Sequence, residues 1–109
     1  MATTATAQQV GRAGEAHVVE QLQGRRFTIN AWPDKAPCEA AIEATGGRRH
    51  VLVLVKTSVS PDNPAFLSKA EAAAIKARAV MCGAEPWQAR VTMNADLTLN
   101  GRIAWRKVR

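Results

Sequence analysis

The sequence predicts a mixed α+β domain, a β-sheet of about five strands flanked by two helices in the order α-β-β-β-α-β-β. Three observations carry this. Several segments alternate apolar and polar residues with a period of two, the mark of a strand with one buried face. The run Val51 to Val55 is continuously apolar and rich in β-branched residues, as in a central strand covered on both faces. Ser68 and Glu71 stand three apart before an alanine-rich stretch, the spacing of a capping box at a helix start.

The first helix is marked by Val10, Gly14, Val18 and Leu22, which recur at four-residue steps, with Gly24 as its expected end. Residues 1–5 are small and polar and are expected to fray. Phe27, Ile29 and Ala31 then alternate with Arg26, Thr28 and Asn30, a strand closed by Trp32 and Pro33. A weaker alternation places Cys38, Ala40 and Ile42 on one face and Glu39, Ala41 and Glu43 on the other. Gly46 and Gly47 make a turn into the central strand, whose apolar run ends at Lys56.

In the second helix, Leu67 precedes the cap and can staple onto Ala72, and Ala72, Ile75, Ala79 and Cys82 form a narrow stripe of small residues suited to packing on a sheet. Gly83 and Pro86 stop it. The segment PWQARVTM reads as a strand, and Asn100-Gly101 within Leu97 to Trp105 is the dipeptide of a type I′ hairpin, so the chain is expected to close on antiparallel strands.

The 109 residues allow one domain, 1–109, with one modest core. A hydrophobic share of 47% with 22% charged residues is that of a folded protein and excludes a disordered tail. Two cysteines without a CxxC pair signal neither a disulfide framework nor zinc, and both are expected as reduced core thiols. No stretch approaches the ~20 apolar residues needed to span a bilayer, and the amino terminus lacks a basic region followed by an apolar run, so the expected location is cytoplasmic. The net charge of +6 favours polyanionic partners, DNA or another nucleic acid, and is equally compatible with mere solubility.

Two side chains stand where chemistry can occur. Glu15 falls on the inward side of the first helix, where it either meets a cation, a metal or solvent in a cleft or lies solvated on the stripe's border. Lys56 shares its face with Leu52 and Leu54 and is expected at the strand's carboxyl end, either paired with Glu15 or Glu39 or reaching solvent. His17 and His50 have no partner at metal spacing and are expected in surface or hydrogen-bonded roles.

GEAHVVEQLQGRRF, an extended acidic segment, VLVLVKTS and a capped helix ending CGAEPWQARV together resemble the Holliday-junction-resolvase branch of the PD-(D/E)XK nucleases over most of the chain. The resemblance implies a restriction-endonuclease-like fold. It also implies a site in which a helix-borne Glu, an Asp opening the second strand, and a Glu or Gln two residues before a Lys on the third surround Mg²⁺. Glu15 matches the helix acid and Lys56 the lysine; Glu39 is the nearest substitute for the Asp, whose place falls at or beside Ala40. Leu54 stands two before Lys56 and has no oxygen to offer a hard cation. What the resemblance implies is therefore catalytic residues Glu15, Glu39 and Lys56, with Glu15 and Glu39 as metal ligands and Mg²⁺ as cofactor if the protein is active.

Arg25 and Arg26, and Arg48 and Arg49, are placed to neighbour each other at one sheet edge, where they can hold phosphates without reading sequence or stand as solvated strand ends. Trp32, Trp87 and Trp105 each lie in or beside a strand, as core, as an oligomer contact or as a base-stacking ring. Three functions follow: a nucleic-acid-binding protein with weakened or lost phosphodiesterase activity; an active Mg²⁺-dependent endonuclease or resolvase; or a protein-interaction module, a homodimer through the tail hairpin.

Overall fold

A computed structural model describes residues 6–31 and 41–109. The expectations for residues 1–5, Trp32, Cys38, Glu39 and Ala40 lie outside the described residues.

Helix α1 (Ala7–Gly24) begins with a capping box: Thr6 Oγ1 accepts from Gln9 N–H at 3.1 Å, and the Gln9 side chain accepts from Thr6 N–H at 2.8 Å. Gly14, Val18, Val19 and Leu22 are its buried residues, in keeping with the four-residue spacing. The helix ends at Gly24, as the sequence predicts, and the reversal follows two residues later. Gly24 stays helical, and the left-handed residue is Arg26 at φ 69°. Phe27 N–H donates to Leu22 C=O and Arg26 N–H to Gln23 C=O, both at 3.0 Å, which is a Schellman motif. The apolar pairing of Phe27 with Leu22 that accompanies this motif sets the reversal two residues beyond the glycine.

The strands are β1 (Thr28–Ala31), β2 (Ile42–Gly46), β3 (Arg49–Val59), β4 (Glu85–Met93) and β5 (Ala104–Lys107), with α2 (Lys69–Cys82) between β3 and β4. The element order is the one the sequence predicts. They form one sheet in sequential order, β1-β2-β3-β4-β5. β1–β2, β2–β3 and β4–β5 pair antiparallel, and β3–β4 pair parallel without interruption from Val51↔Glu85 to Val59↔Met93. That parallel pair requires a crossover, which α2 supplies.

The two faces of β3 explain its continuous apolar run. Val51 and Val53 pack with Val18 and Leu22 of α1, while Leu52 and Leu54 pack with Ile75 and Ala79 of α2. Helix α1 comes so close to β3 that a Cβ on Gly14 would lie 1.9 Å from Thr57 Cγ2. Only glycine fits there.

Three expectations are corrected. The strand β3 continues three residues past Lys56, because its pairing with β4 does, so Lys56 is not at its carboxyl end. The type I′ turn at Asn100-Gly101 is absent, since only Gly101 of the two has positive φ. The chain reverses earlier: Leu97 N–H donates to Asn94 C=O at 2.9 Å with Leu97 left-handed at φ 68°, and Asp96 accepts from Thr98 N–H and Oγ1 at 3.1 and 2.6 Å. These local bonds make a three-residue hairpin loop there instead. Cys82 is exposed rather than a core thiol, as are Val80 and Met81, because α2 buries only Ile75 and Ala79. No helix among the described residues is long and apolar enough to cross a membrane.

Candidate functional site

The alternation of β3 turns Lys56 to the α2 face, in line with Leu52 and Leu54. Its Nζ donates to Glu71 Oε2 at 2.6 Å, and both side chains are about three-quarters buried. Glu71 is the acid of the capping box: its Oε1 accepts from Ser68 N–H at 2.9 Å while Ser68 Oγ accepts from Glu71 N–H at 3.1 Å. Burial pushes the Glu71 carboxyl up, but the hydrogen bonds from Lys56 and Ser68 and the ammonium charge outweigh it and hold it below the usual carboxylate range. One carboxylate therefore caps a helix and neutralises a half-buried lysine. Leu54, two residues earlier on the same face, is 6% exposed against Ile75 and Ala79.

Glu15 is half-buried on α1, next to the glycine that abuts Thr57. Thr57 and Lys56 alternate across the strand, so α1 lies on the face opposite the one Lys56 presents. The structure thus brings Lys56 to Glu71; Glu39 lies outside the described residues. The described residues do not fit a Mg²⁺ ion. Among them no three His, Cys, Asp or Glu side chains gather, and an apolar side chain fills the place next to Lys56 where a hard cation requires oxygen. His17 Nε2 donates to Leu97 C=O at 2.9 Å and His50 Nε2 to Glu43 at 2.6 Å, the hydrogen-bonded roles their spacing suggested.

The arginines lie elsewhere. Arg25 and Arg49 line one cleft with Phe27, Trp87 and Trp105. The β2–β3 turn is drawn to this corner by Gly46, where a Cβ would lie 2.8 Å from the Phe27 ring. Arg49 is bound at 3.2 and 3.3 Å to Glu85, which Lys107 also approaches at 3.7 Å. The Arg49 hydrogen bond, above all, holds the Glu85 carboxyl below its usual range. Arg25, Arg26 and Arg48 are exposed, with no carboxylate at ion-pair distance among the described residues. This group sits where β3 begins; Lys56 is seven residues further, roughly 23 Å along the strand, and on the other face.

The α2 face carries residues that sequence reasoning passed over. Arg90, the register partner of Lys56, donates from Nε and Nη2 to Pro64 C=O at 3.0 and 2.6 Å. Its guanidinium lies 3.8 Å from the Phe66 ring centroid, and that of Arg106 lies 6.0 Å away. The alternation of PWQARV puts Arg90 on the Lys56 face, yet nothing in the sequence ties it to a loop 26 residues earlier.

No family model matches the sequence, and no curated protein does. Among solved structures the chain is similar to Hjc, a Holliday junction resolvase from the archaeal hyperthermophile Archaeoglobus fulgidus. The TM-score is 0.63, with 22% identity over 85% of this chain and 74% of that one. At that identity the likeness is one of architecture: the chain has a restriction-endonuclease-like fold.

Proposed function

We propose that this protein is a nuclease-fold domain, spanning 1–109, that binds nucleic acid and whose Mg²⁺-dependent phosphodiesterase activity is weakened or lost. The observation that carries the proposal is the pairing of a buried Leu54 with a Lys56 whose ammonium is closed onto Glu71. A lysine that positions an attacking water beside a metal needs carboxylates converging on that metal. Glu15 and Glu39 would be the remaining ligands, one side chain short of the set the resemblance implies. The exposed Arg25, Arg26 and Arg48, with Arg49 held by Glu85 beside them, supply the cations that meet the phosphates.

Mobility shift at low salt tests binding. Replacing Arg25, Arg26 and Arg48 with Ala should reduce the slope of log affinity against log salt by about 0.9 for each duplex phosphate that is no longer neutralised, or about 0.7 on single strands. No retardation of duplex, single-stranded or branched DNA sinks the proposal. Plasmid incubated with Mg²⁺ or Mn²⁺ should stay supercoiled; nicking abolished by Lys56→Ala would restore the active-endonuclease reading. Light scattering reads the homodimer expectation.

A further inference from the structure

We infer that Phe66 is a stacking platform for an unpaired nucleobase, and that the groove beside it takes single-stranded nucleic acid; this rests on the nucleic-acid-binding reading above. Phe66 is 56% exposed and is the exposed aromatic among the described residues. A large apolar ring in water is not by itself a site. This one is held out by specific bonds on both sides. Arg90 grips the Pro64 carbonyl through two N–H groups, and Gln88 Oε1 accepts from Leu67 N–H at 2.9 Å. The Arg90 guanidinium also covers one face of the ring at 3.8 Å. The ordering cost of presenting the ring is thus met before any ligand arrives.

The adjoining groove has an apolar wall from Leu67, Ala72 and Val108, and cations Arg106 and Arg109. No acidic side chain of the described residues lines it, and Glu71, the residue before Ala72, is committed to Lys56. Below lies Gln88, 4% exposed, whose Nε2 is buried without an acceptor among the described residues. A planar apolar ring, the positive charge of Arg106 and Arg109 and a spare donor together select an anion that carries a flat, hydrogen-bonding ring. An unpaired nucleotide has all three features, whereas in a duplex the faces of the bases are already stacked. The groove opens on the same α2 face of the sheet that Lys56 occupies.

The test is fluorescence anisotropy of labelled oligo(dT) and of a blunt duplex, with 2-aminopurine in the single strand to report stacking. Stacking on one aromatic ring is worth roughly 5- to 150-fold in affinity. Phe66→Ala should weaken oligo(dT) at least about fivefold, abolish the 2-aminopurine quench, and leave duplex affinity unchanged. Phe66→Trp should retain both the affinity and the quench. Unchanged oligo(dT) binding by Phe66→Ala, or an equal loss for duplex, overturns the inference while leaving nucleic-acid binding standing. Displacement of oligo(dT) by a Phe-containing oligoglutamate at equal concentration overturns it too, and reassigns the groove to acidic peptides. Failure of the wild type to bind any nucleic acid removes both readings together.

Discussion

If Lys56 is a structural cation, its energy should be coupled to Glu71, and a double-mutant cycle reads that coupling. Lys56→Met removes the charge and keeps an unbranched stem beside Leu54; Glu71→Gln keeps the capping box, which accepts Gln, and removes the negative charge. A charge-assisted hydrogen bond contributes about 1.5–3 kcal/mol, reduced here because each side chain is still about one-quarter exposed. Each single variant should therefore lose about 1–2 kcal/mol, and the double variant little more than either, for a coupling of about 1 kcal/mol. In a chain of this size that is roughly 4–9 °C in thermal midpoint for each single variant.

The same pair fixes a pH dependence. The folded-state pKa of Glu71 is depressed, so its contribution is present above the unfolded carboxylate's pKa and is lost as pH falls through the folded value. Urea unfolding of the wild type should weaken more steeply on acidification below about pH 4.5 than that of Glu71→Gln. Coupling within about 0.3 kcal/mol of zero, or parallel acid profiles, would refute the structural assignment of Lys56.

Leu54→Glu places a carboxylate against Ile75 and Ala79 and should cost about 2–4 kcal/mol at neutral pH, with added Mn²⁺ giving no recovery in a melting assay; recovery would mean that a cation site assembles after all. Gly14→Ala drives a methyl into Thr57 and should destabilise by about 1–3 kcal/mol, most of it regained with Thr57→Ala in a urea series. Arg26→Gly relieves a left-handed non-glycine residue and should stabilise by about 1 kcal/mol, while making the salt slope shallower by one phosphate.

The element order was legible because burial imposes it. A strand covered by α1 on one side and α2 on the other must be apolar at every position, and Val51 to Leu54 are. The ends of elements were less so. Gly24 and Asn100-Gly101 carry strong local preferences, yet the left-handed residues that end α1 and close the last hairpin loop are Arg26 and Leu97. There the Phe27–Leu22 pairing and the Asp96–Thr98 bonds outweigh about 1 kcal/mol of backbone preference each. The partner of Lys56 was hidden for another reason. Ser68 and Glu71 read as a cap, and only the crossover that brings α2 back over β3 makes the cap's acid a counter-ion.

That double use of Glu71 follows from Leu54. A lysine three-quarters buried beside apolar side chains needs a hydrogen-bonding carboxylate within reach to offset the desolvation of its ammonium. Where the nuclease pattern has an acid two residues before the lysine, that acid supplies part of the compensating charge. Here the position holds a side chain that packs under Ile75 and Ala79 and supplies none. The carboxylate that answers on that face is at the first turn of α2, already oriented by its bond to Ser68 N–H, so closing it onto Lys56 immobilises few additional torsions. The α2 face thus carries a lysine compensated by Glu71, carbon rather than oxygen at position 54, and an exposed ring under the Arg90 guanidinium.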